Sequence, residues 1–451
     1  MVAYPGAVTA ADTVVTLRLP EPPDPACVFD AFASESHRFW LDAGPRAGSG
    51  WSWVGTGLPD APDAVYATPG TTRVHPQAPW GAFPLGWVGW VGYEAGVRRL
   101  GLTPHPDPEP MPAERWLRVS GMVAFDHTGG EAWVVADSDR RAARIVALLG
   151  ASHPEPSGPA ASPEPPVGVT ARTTPHEYHD RIRAAQESIA AGDAYQLCLT
   201  TRFALTGSLD PVAAHRRLRA LSPSPRGAII LSDDHAIVSS SPEQFLELRD
   251  GVVRTRPIKG TRRRADDAAA DVALAAELRS SAKERAENAM IVDLVRNDLT
   301  RVCEPGTVSV EDMLTVESYR TVHQLVSGVA GVLRAGVTIG DVLEAAFPAG
   351  SMSGAPKVSA IGLLAALEDA PRGVFGGCYG WVGRDGSADL AMTIRTLAIH
   401  PGGAYVGAGG GITALSDPAE EVGEVALKAA PVLAAAGTGL PREWRDRVPV
   451  P

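Results

Sequence analysis

Residues 281–298 read SAKERAENAMIVDLVRND, and residues 416–430 read SDPAEEVGEVALKAA. Ser281 is a good N-cap, and the apolar residues Ile291, Leu294 and Val295 recur at helical spacing, which predicts a helix to about residue 297. Glu284 and Glu287 lie three apart and share a face of it. In the second stretch Glu421, Glu424 and Lys428 fall at i, i+3 and i+7, again on one face of a predicted helix over 418–434. Like charges on one helix face repel, and a cation relieves them. A solvated acidic face beside Lys283 and Arg285 is the plain reading of the first pair alone. Two such helices facing each other would instead make an oxygen-rich site suited to Mg²⁺, which takes one or two carboxylates with waters and substrate oxygens.

Before and between these helices the chain alternates helix and strand. A helix is expected over 178–190 and strands over 195–200, 228–239, 245–248 and 252–256. Helices follow over 341–347 and 356–367, then strands over 378–382 and 390–399. The N-terminal part, about 1–150, reads as short strands and turns with a cluster of tryptophans, among them Trp40, Trp53, Trp90 and Trp116, expected as aromatic core. Residues 151–171 are dense in Pro, Ser and Gly and read as a linker. Residues 172–436 read as a catalytic domain and 437–451 as a loose tail.

The 451 residues carry a net charge of −11, which argues against a nucleic-acid footprint. The four cysteines show no paired spacing, so neither a zinc site nor a disulfide framework is expected. The N-terminus lacks a signal pattern and no run of about 18 apolar residues exists. The expectation is a cytoplasmic protein away from membranes.

Several smaller features carry possible chemistry. FPAGSMSGAPK (347–357) joins two helices and does not have Walker spacing. VGAGGGIT (406–413) reads as a loop into the last helix. Its Gly409, Gly410 and Gly411 either let backbone N–H groups approach a carboxylate or make a tight turn. Arg395, in the expected strand over 390–399, is flanked by apolar residues and needs an anion, either a substrate carboxylate or a structural partner. Cys378 sits in a G-x-C-x-G pattern of thiol enzymes, but no suitable acid–histidine pair follows, so it reads as a strand residue.

The motifs SSSPEQFLEL, RPIKGT, KERAENAMIVDLVRND, TVHQLVSG, FPAGSMSGAPK, TIRT, GAGGG and the closing E-x-x-E-x-x-x-K occur in one order. Together they resemble the chorismate-utilising enzymes, the family of anthranilate, aminodeoxychorismate, isochorismate and salicylate synthases. The N-terminal PLGWVGWVGYEAG and HRFWLDAG resemble the family more weakly. The resemblance implies an α/β fold, a sandwich of two antiparallel sheets enclosed by helices, with the active site in a deep cleft. By motif, Glu287 and Glu421 would ligate Mg²⁺, with Glu284 and Glu424 acting through water. Gly260, Thr261, Arg395, Gly409, Gly410, Gly411 and Lys428 would hold the anionic groups of chorismate, and His323 would line the pocket. Phe375 stands where many members have tyrosine, so a hydroxyl is lost there.

The resemblance also divides the subfamilies. Glu243, in SPEQ, matches the general acid for the 4-hydroxyl and must stay protonated by burial. Gln196 stands where water-adding members have a lysine base, which disfavours isochorismate and salicylate synthesis. Lys259, in PIKGT, resembles the nucleophile of aminodeoxychorismate synthases, where anthranilate synthases have alanine. It would attack C2, and ammonia would then enter at C4. A substrate-carboxylate clamp is the other reading of Lys259. Nucleophilic attack needs a free amine, which burial near Arg256 and Arg262, Arg263 and Arg264 would favour. Ammonia is expected from a separate glutamine amidotransferase subunit in a heterodimer. An anthranilate synthase component, or an inactive chorismate- or tryptophan-binding regulator, are the alternatives. Ala43 and Gly44 replace the hydroxyl residue expected after the Leu-Asp pair, so the tryptophan site of relatives is expected here as a structural pocket.

Overall fold

The computed structural model describes residues 14–45, 47–70, 78–151, 168–319 and 322–446. It is an α/β fold in which every strand pairing is antiparallel and the pairings connect twenty strands among the described residues. One run of neighbours is Gln196–Thr206, Gly403–Ile412, Thr396–His400, His235–Ser241, Arg226–Ser232, His37–Asp42 and Trp51–Asp60. The long strand Glu114–Asp126 continues it and divides it. Its first half pairs with Gly86–Val91 and its second with Glu131–Ala136. From Gly86–Val91 the sheet passes to Cys378–Gly383, Ala388–Met392, Gln244–Arg249, Val252–Arg256 and Val322–Val332. It does not close.

The two runs face each other. Phe39 and Ile230 of one share a core with Trp90, Tyr379 and Ala391 of the other. Trp53, Phe83 and Trp381 interlock there, with ring centroids 4.9–6.2 Å apart. Helices cover the outer faces. Pro175–Ala190 and Pro418–Ala435 pack on the first run through Ile182, Val425 and Val432. Ala282–Thr300 and Ile339–Ala346 pack on the second through Val292, Leu299 and Val342. The caps agree with the sequence: Thr174 forms a capping box with Glu177, and Ser281 and Asp417 accept from the first-turn amides of the two acidic helices.

N-terminal strands and catalytic strands therefore belong to one sheet, with no break near residue 150. Most of the stretch read as a linker lies outside the described residues, but its last four, Gly168–Ala171, form an edge strand on Gln196–Thr206.

A buried ion pair fixes the centre. The Arg372 guanidinium makes two hydrogen bonds to Glu368, 2.8 and 2.6 Å, and donates to the carbonyls of Met352 and Cys198. Glu368 in turn accepts from the Thr200 amide, and Glu94 of the GYE segment accepts from the Arg372 amide. Arg372 lies over the Tyr93 ring, 4.2 Å from its centroid.

The loose tail expected from residue 437 is a correction. The helix Arg442–Arg445 seats Trp444, 0% exposed, against Phe203 and Tyr178, and its indole N–H donates to the Thr173 carbonyl. The apolar content of 437–446 is low, so nothing but the tryptophan itself signals this docking. Trp444→Ala should lower unfolding stability by about 3–5 kcal/mol, as for other fully buried tryptophans. Equilibrium urea unfolding measures this, and a loss under 1 kcal/mol would mean that the segment does not dock.

Candidate active site

The two acidic helices converge as anticipated. Glu287 and Glu421 are buried, 7% and 3% exposed, although one stands on Ala282–Thr300 and the other on Pro418–Ala435. Burial pushes both carboxyls above the usual carboxylate range. Glu284 and Glu421 push Glu287 further up, and Glu424 does the same to Glu421. Each of the four carboxylates meets a cation of the chain: Glu284 with Arg262 at 3.4 Å, Glu287 with Lys259 at 3.8 Å, Glu421 with Lys283 at 3.3 Å and Glu424 with Lys428 at 2.7 Å. Lys428 holds Glu424 below the usual range. Sequence reasoning assigns no role to Lys283 or to Ser416, whose hydroxyl donates to Glu421 Oε1 at 2.8 Å.

The glycines do not form a loop. Gly409, Gly410 and Gly411 lie in the strand Gly403–Ile412, paired with Thr200, Leu199 and Cys198. Their value is the missing side chain. A Cβ on Gly410 would sit 2.8 Å from Glu421 Oε2, and one on Gly411 would sit 2.5 Å from Gln196 Nε2 and 3.1 Å from Lys259 Nζ. Glu421, Gln196 and Lys259 thus gather over one bare stretch of strand. Pairing with Thr396–His400 ends at Leu397 and Val406, which leaves one edge of 407–412 unpaired; Lys428 Nζ donates to the Gly409 carbonyl at 2.8 Å.

Arg395 too departs from expectation. It is not inside a strand but in a left-handed kink, φ 52°, between Ala388–Met392 and Thr396–His400. A non-glycine residue there is strained, and such strain concentrates at functional sites. Arg395 makes no ion pair among the described residues, and burial lowers its pKa, opposed by Glu424. The structural-partner reading therefore finds no partner.

Gln196 is fully buried, and neither its amide oxygen nor its nitrogen has a hydrogen-bond partner among the described residues. An unpaired buried amide costs about 1–3 kcal/mol per group, so a ligand is the natural recipient. Glu243, 8% exposed, follows the strand His235–Ser241 and lines a cavity with Gly350, Ser351, Ile291 and Met392. Burial raises its carboxyl to about 7, opposed by Lys259, by a hydrogen bond from Ser351 and by Lys428. Ser351 was also missed: nothing in its glycine-rich surroundings distinguishes it from a turn residue. Gly260, φ 76°, carries the bulge between Lys259 and Thr261, and a Cβ there would lie 2.9 Å from Glu284. Thr261 is exposed beside it.

Other expectations fare less well. The arginines expected beside Lys259 are engaged elsewhere: Arg256 with Glu317, Arg262 with Glu277 and Glu284, and Arg264 with Asp271, while Arg263 is exposed. His323 has both ring nitrogens occupied, by Ser318 at 2.8 Å and Asp271 at 3.0 Å, and does not offer one to the site. Phe375 packs its ring onto Gly407, as a core residue. Lys357 of the glycine-rich segment is a buried partner of Asp298 at 2.7 Å. Cys378 is fully buried in a strand and burial holds its thiol far above the range of a nucleophile. The pocket expected to be structural is lined by Asp42, His215, Ser224 and Ser240, with Arg219 on Asp42 at 2.7 Å and 4.8 Å over the Trp40 ring.

Comparison with known proteins agrees with this geometry. The aminodeoxychorismate synthase of Streptomyces griseus is 37% identical over 96% of this chain. The chain spans only 65% of that relative's length, and 51% of its counterpart's from Streptomyces pristinaespiralis. Anthranilate synthase component 1 of Streptomyces coelicolor is 40% identical over 78% of the chain and 73% of its own length. The crystal structure of anthranilate synthase component I from Streptococcus pneumoniae TIGR4 superposes with a TM-score of 0.72 at 28% identity, covering 95% of this chain and 94% of that one. Among the described residues no helix is long and apolar enough to cross a membrane. The family model for chorismate binding enzymes matches residues 58–434, and the chain belongs to that family.

Proposed function

We propose that this chain is the aminating component of an aminodeoxychorismate synthase, converting chorismate and ammonia to 4-amino-4-deoxychorismate. The observation that carries the reading is Lys259. Its side-chain nitrogen lies 3.8 Å from Glu287 and gathers with Gln196 over bare Gly411, in a cluster that includes the buried acid Glu243. Curated relatives of that name match most of the chain. Ammonia would come from a glutamine amidotransferase subunit, and the product would feed para-aminobenzoate, for folate or a related metabolite, in the cytoplasm.

The acidic residues fit a divalent cation. Glu287 and Glu421 are buried, repel their neighbours and offer only oxygen, the chemistry Mg²⁺ selects. Among the described residues no group of three or more His, Cys, Asp or Glu side chains is placed to hold an ion by itself, so water and substrate would have to complete its shell. Glu287 and Glu421 would hold it, with Glu284 and Glu424 behind them. When bound, Mg²⁺ supplies positive charge to a substrate carboxylate. Arg395, Lys428 and the unspent amide of Gln196 take the other polar groups of chorismate.

Glu243, protonated by burial, delivers its proton to the 4-hydroxyl, which leaves as water. The unprotonated Lys259 amine forms a bond to C2 as the ring double bonds shift toward C4. Ammonia then bonds to C4, the double bonds shift back, and the lysine amine leaves C2. The new ammonium returns a proton to Glu243. Gln196 cannot take a proton from water, so water is not activated at C2.

With chorismate, Mg²⁺ and ammonium at alkaline pH, the product should become para-aminobenzoate only after a lyase is added; direct appearance of fluorescent anthranilate would establish the ortho-aminating reading instead. Lys259→Ala should lose amination while chorismate binding, measured by calorimetry, stays within a few-fold of wild type. Retention of full turnover would refute a covalent role. Glu243→Gln should lose roughly 10²-fold or more in turnover. The same variant has a stability signature. The folded carboxyl keeps its proton up to about pH 7, whereas the unfolded one releases it near the ordinary value of 4.5. Stability contributed by protonated Glu243 therefore falls as pH rises between those values. Glu243→Gln should melt above wild type at pH 8, by no more than about 3 kcal/mol, with the gap closing near pH 4.

A further inference from the structure

Four carboxylates meet four cations in the site, so the site is balanced by the chain itself. Three of the cations have other work. Lys259 stands over Gly411 as the amine of the reaction, Lys428 is also bonded to the Gly409 carbonyl, and Arg262 is forked on Glu277 at 2.7 and 2.9 Å. Lys283 has one bonded partner among the described residues, Glu421 Oε1 at 3.3 Å, and it also feels Glu287 and Glu284.

Its position in the helix is informative. Lys283 is the second residue of Ala282–Thr300, at the positive end of the helix dipole. A cation there is disfavoured. Only the acidic partners across the gap, on the other helix and one turn on, offset that. The side chain is 37% exposed, so it can swing to solvent without unpacking the core. Glu421 Oε1 already accepts from Ser416, while Oε2 faces Gly410. A divalent ion at Glu421 must therefore compete with the Lys283 ammonium for the same carboxylate.

We propose that Lys283 is a built-in counter-ion of the metal site, held on Glu421 in the metal-free protein and displaced when Glu421 takes part in holding a divalent cation. The ammonium joins the two acidic helices in the metal-free state and sets the affinity of the site for the ion. This rests on the metal reading of the previous subsection.

The test uses Mn²⁺ as probe, titrated into the metal-stripped full chain and followed by the electron paramagnetic resonance signal of free Mn²⁺. Lys283→Met should bind Mn²⁺ up to roughly fivefold more tightly than wild type, the size expected for loss of one partly exposed competing ion pair. Lys283→Arg, which keeps the charge, should bind within about twofold of wild type. Without metal, Lys283→Met should melt below wild type, and saturating Mn²⁺ should raise its melting temperature by more than it raises that of wild type. Unchanged or weaker Mn²⁺ binding by a folded Lys283→Met would overturn the displacement proposal while leaving the metal site standing. Absence of stoichiometric Mn²⁺ binding by wild type and both variants would overturn the metal reading and the counter-ion with it.

Discussion

The buried pair between Arg372 and Glu368 is the constraint from which the site takes its shape. Neither partner touches solvent to any extent, 3% and 5% exposed. Two charges so placed are tolerable only when their remaining donors and acceptors are spent, and here they are spent on backbone. Through these bonds the pair fastens the strand that carries Gln196, the turn that carries Ser351 and the GYE segment of the N-terminal part. Loss of either partner would leave the other as an uncompensated buried charge, so the site is rigid at its floor. Its roof is two helices joined by one ion pair, Lys283 with Glu421, with more access to solvent.

Much of the catalytic half could be read from sequence because its signals are periodic or chemical. The acidic pairs announced themselves by spacing, and the structure gathers them from opposite ends of the domain. Glu243 and Lys259 were singled out by resemblance, and both stand in the cluster. The misreadings share a physical cause. Gly409 to Gly411 carry no side chain, so a strand made of them has no alternation and looks like a loop; their role is visible only once Gln196, Lys259 and Glu421 are seen above them. Arg395 lies between two real strands, and nothing in TIRT reports that its backbone is left-handed. His323 and Arg264 share Asp271, a partnership made by tertiary structure alone. Trp444 follows a short, proline-containing stretch and docks with only Leu440 of that stretch beside it in the core.

The charge arrangement explains how so many carboxylates coexist in one fold. Unpaired, Glu287 and Glu421 would be expensive to bury. Lysine and arginine side chains drawn from the same helices and the adjoining strand make the site nearly neutral at modest cost. Such a site is selective in a simple way: a ligand enters by exchanging charges, so an ion or an anion that matches the arrangement does well and a neutral molecule gains little.

The single continuous sheet has a consequence for how the protein is made. Val91 pairs with Cys378, about 290 residues further along the chain. At ribosomal rates of about 5–20 residues per second, the tryptophan-rich N-terminal strands wait roughly 15–60 s for their neighbour. During that interval they present an apolar, hydrogen-bond-hungry edge. Long-range pairing of this kind also slows the search after synthesis ends. The architecture that brings both halves of the molecule to one active site thus makes the nascent chain a natural client for chaperones, and its yield on expression should depend on temperature and translation speed more than on the stability of the finished fold.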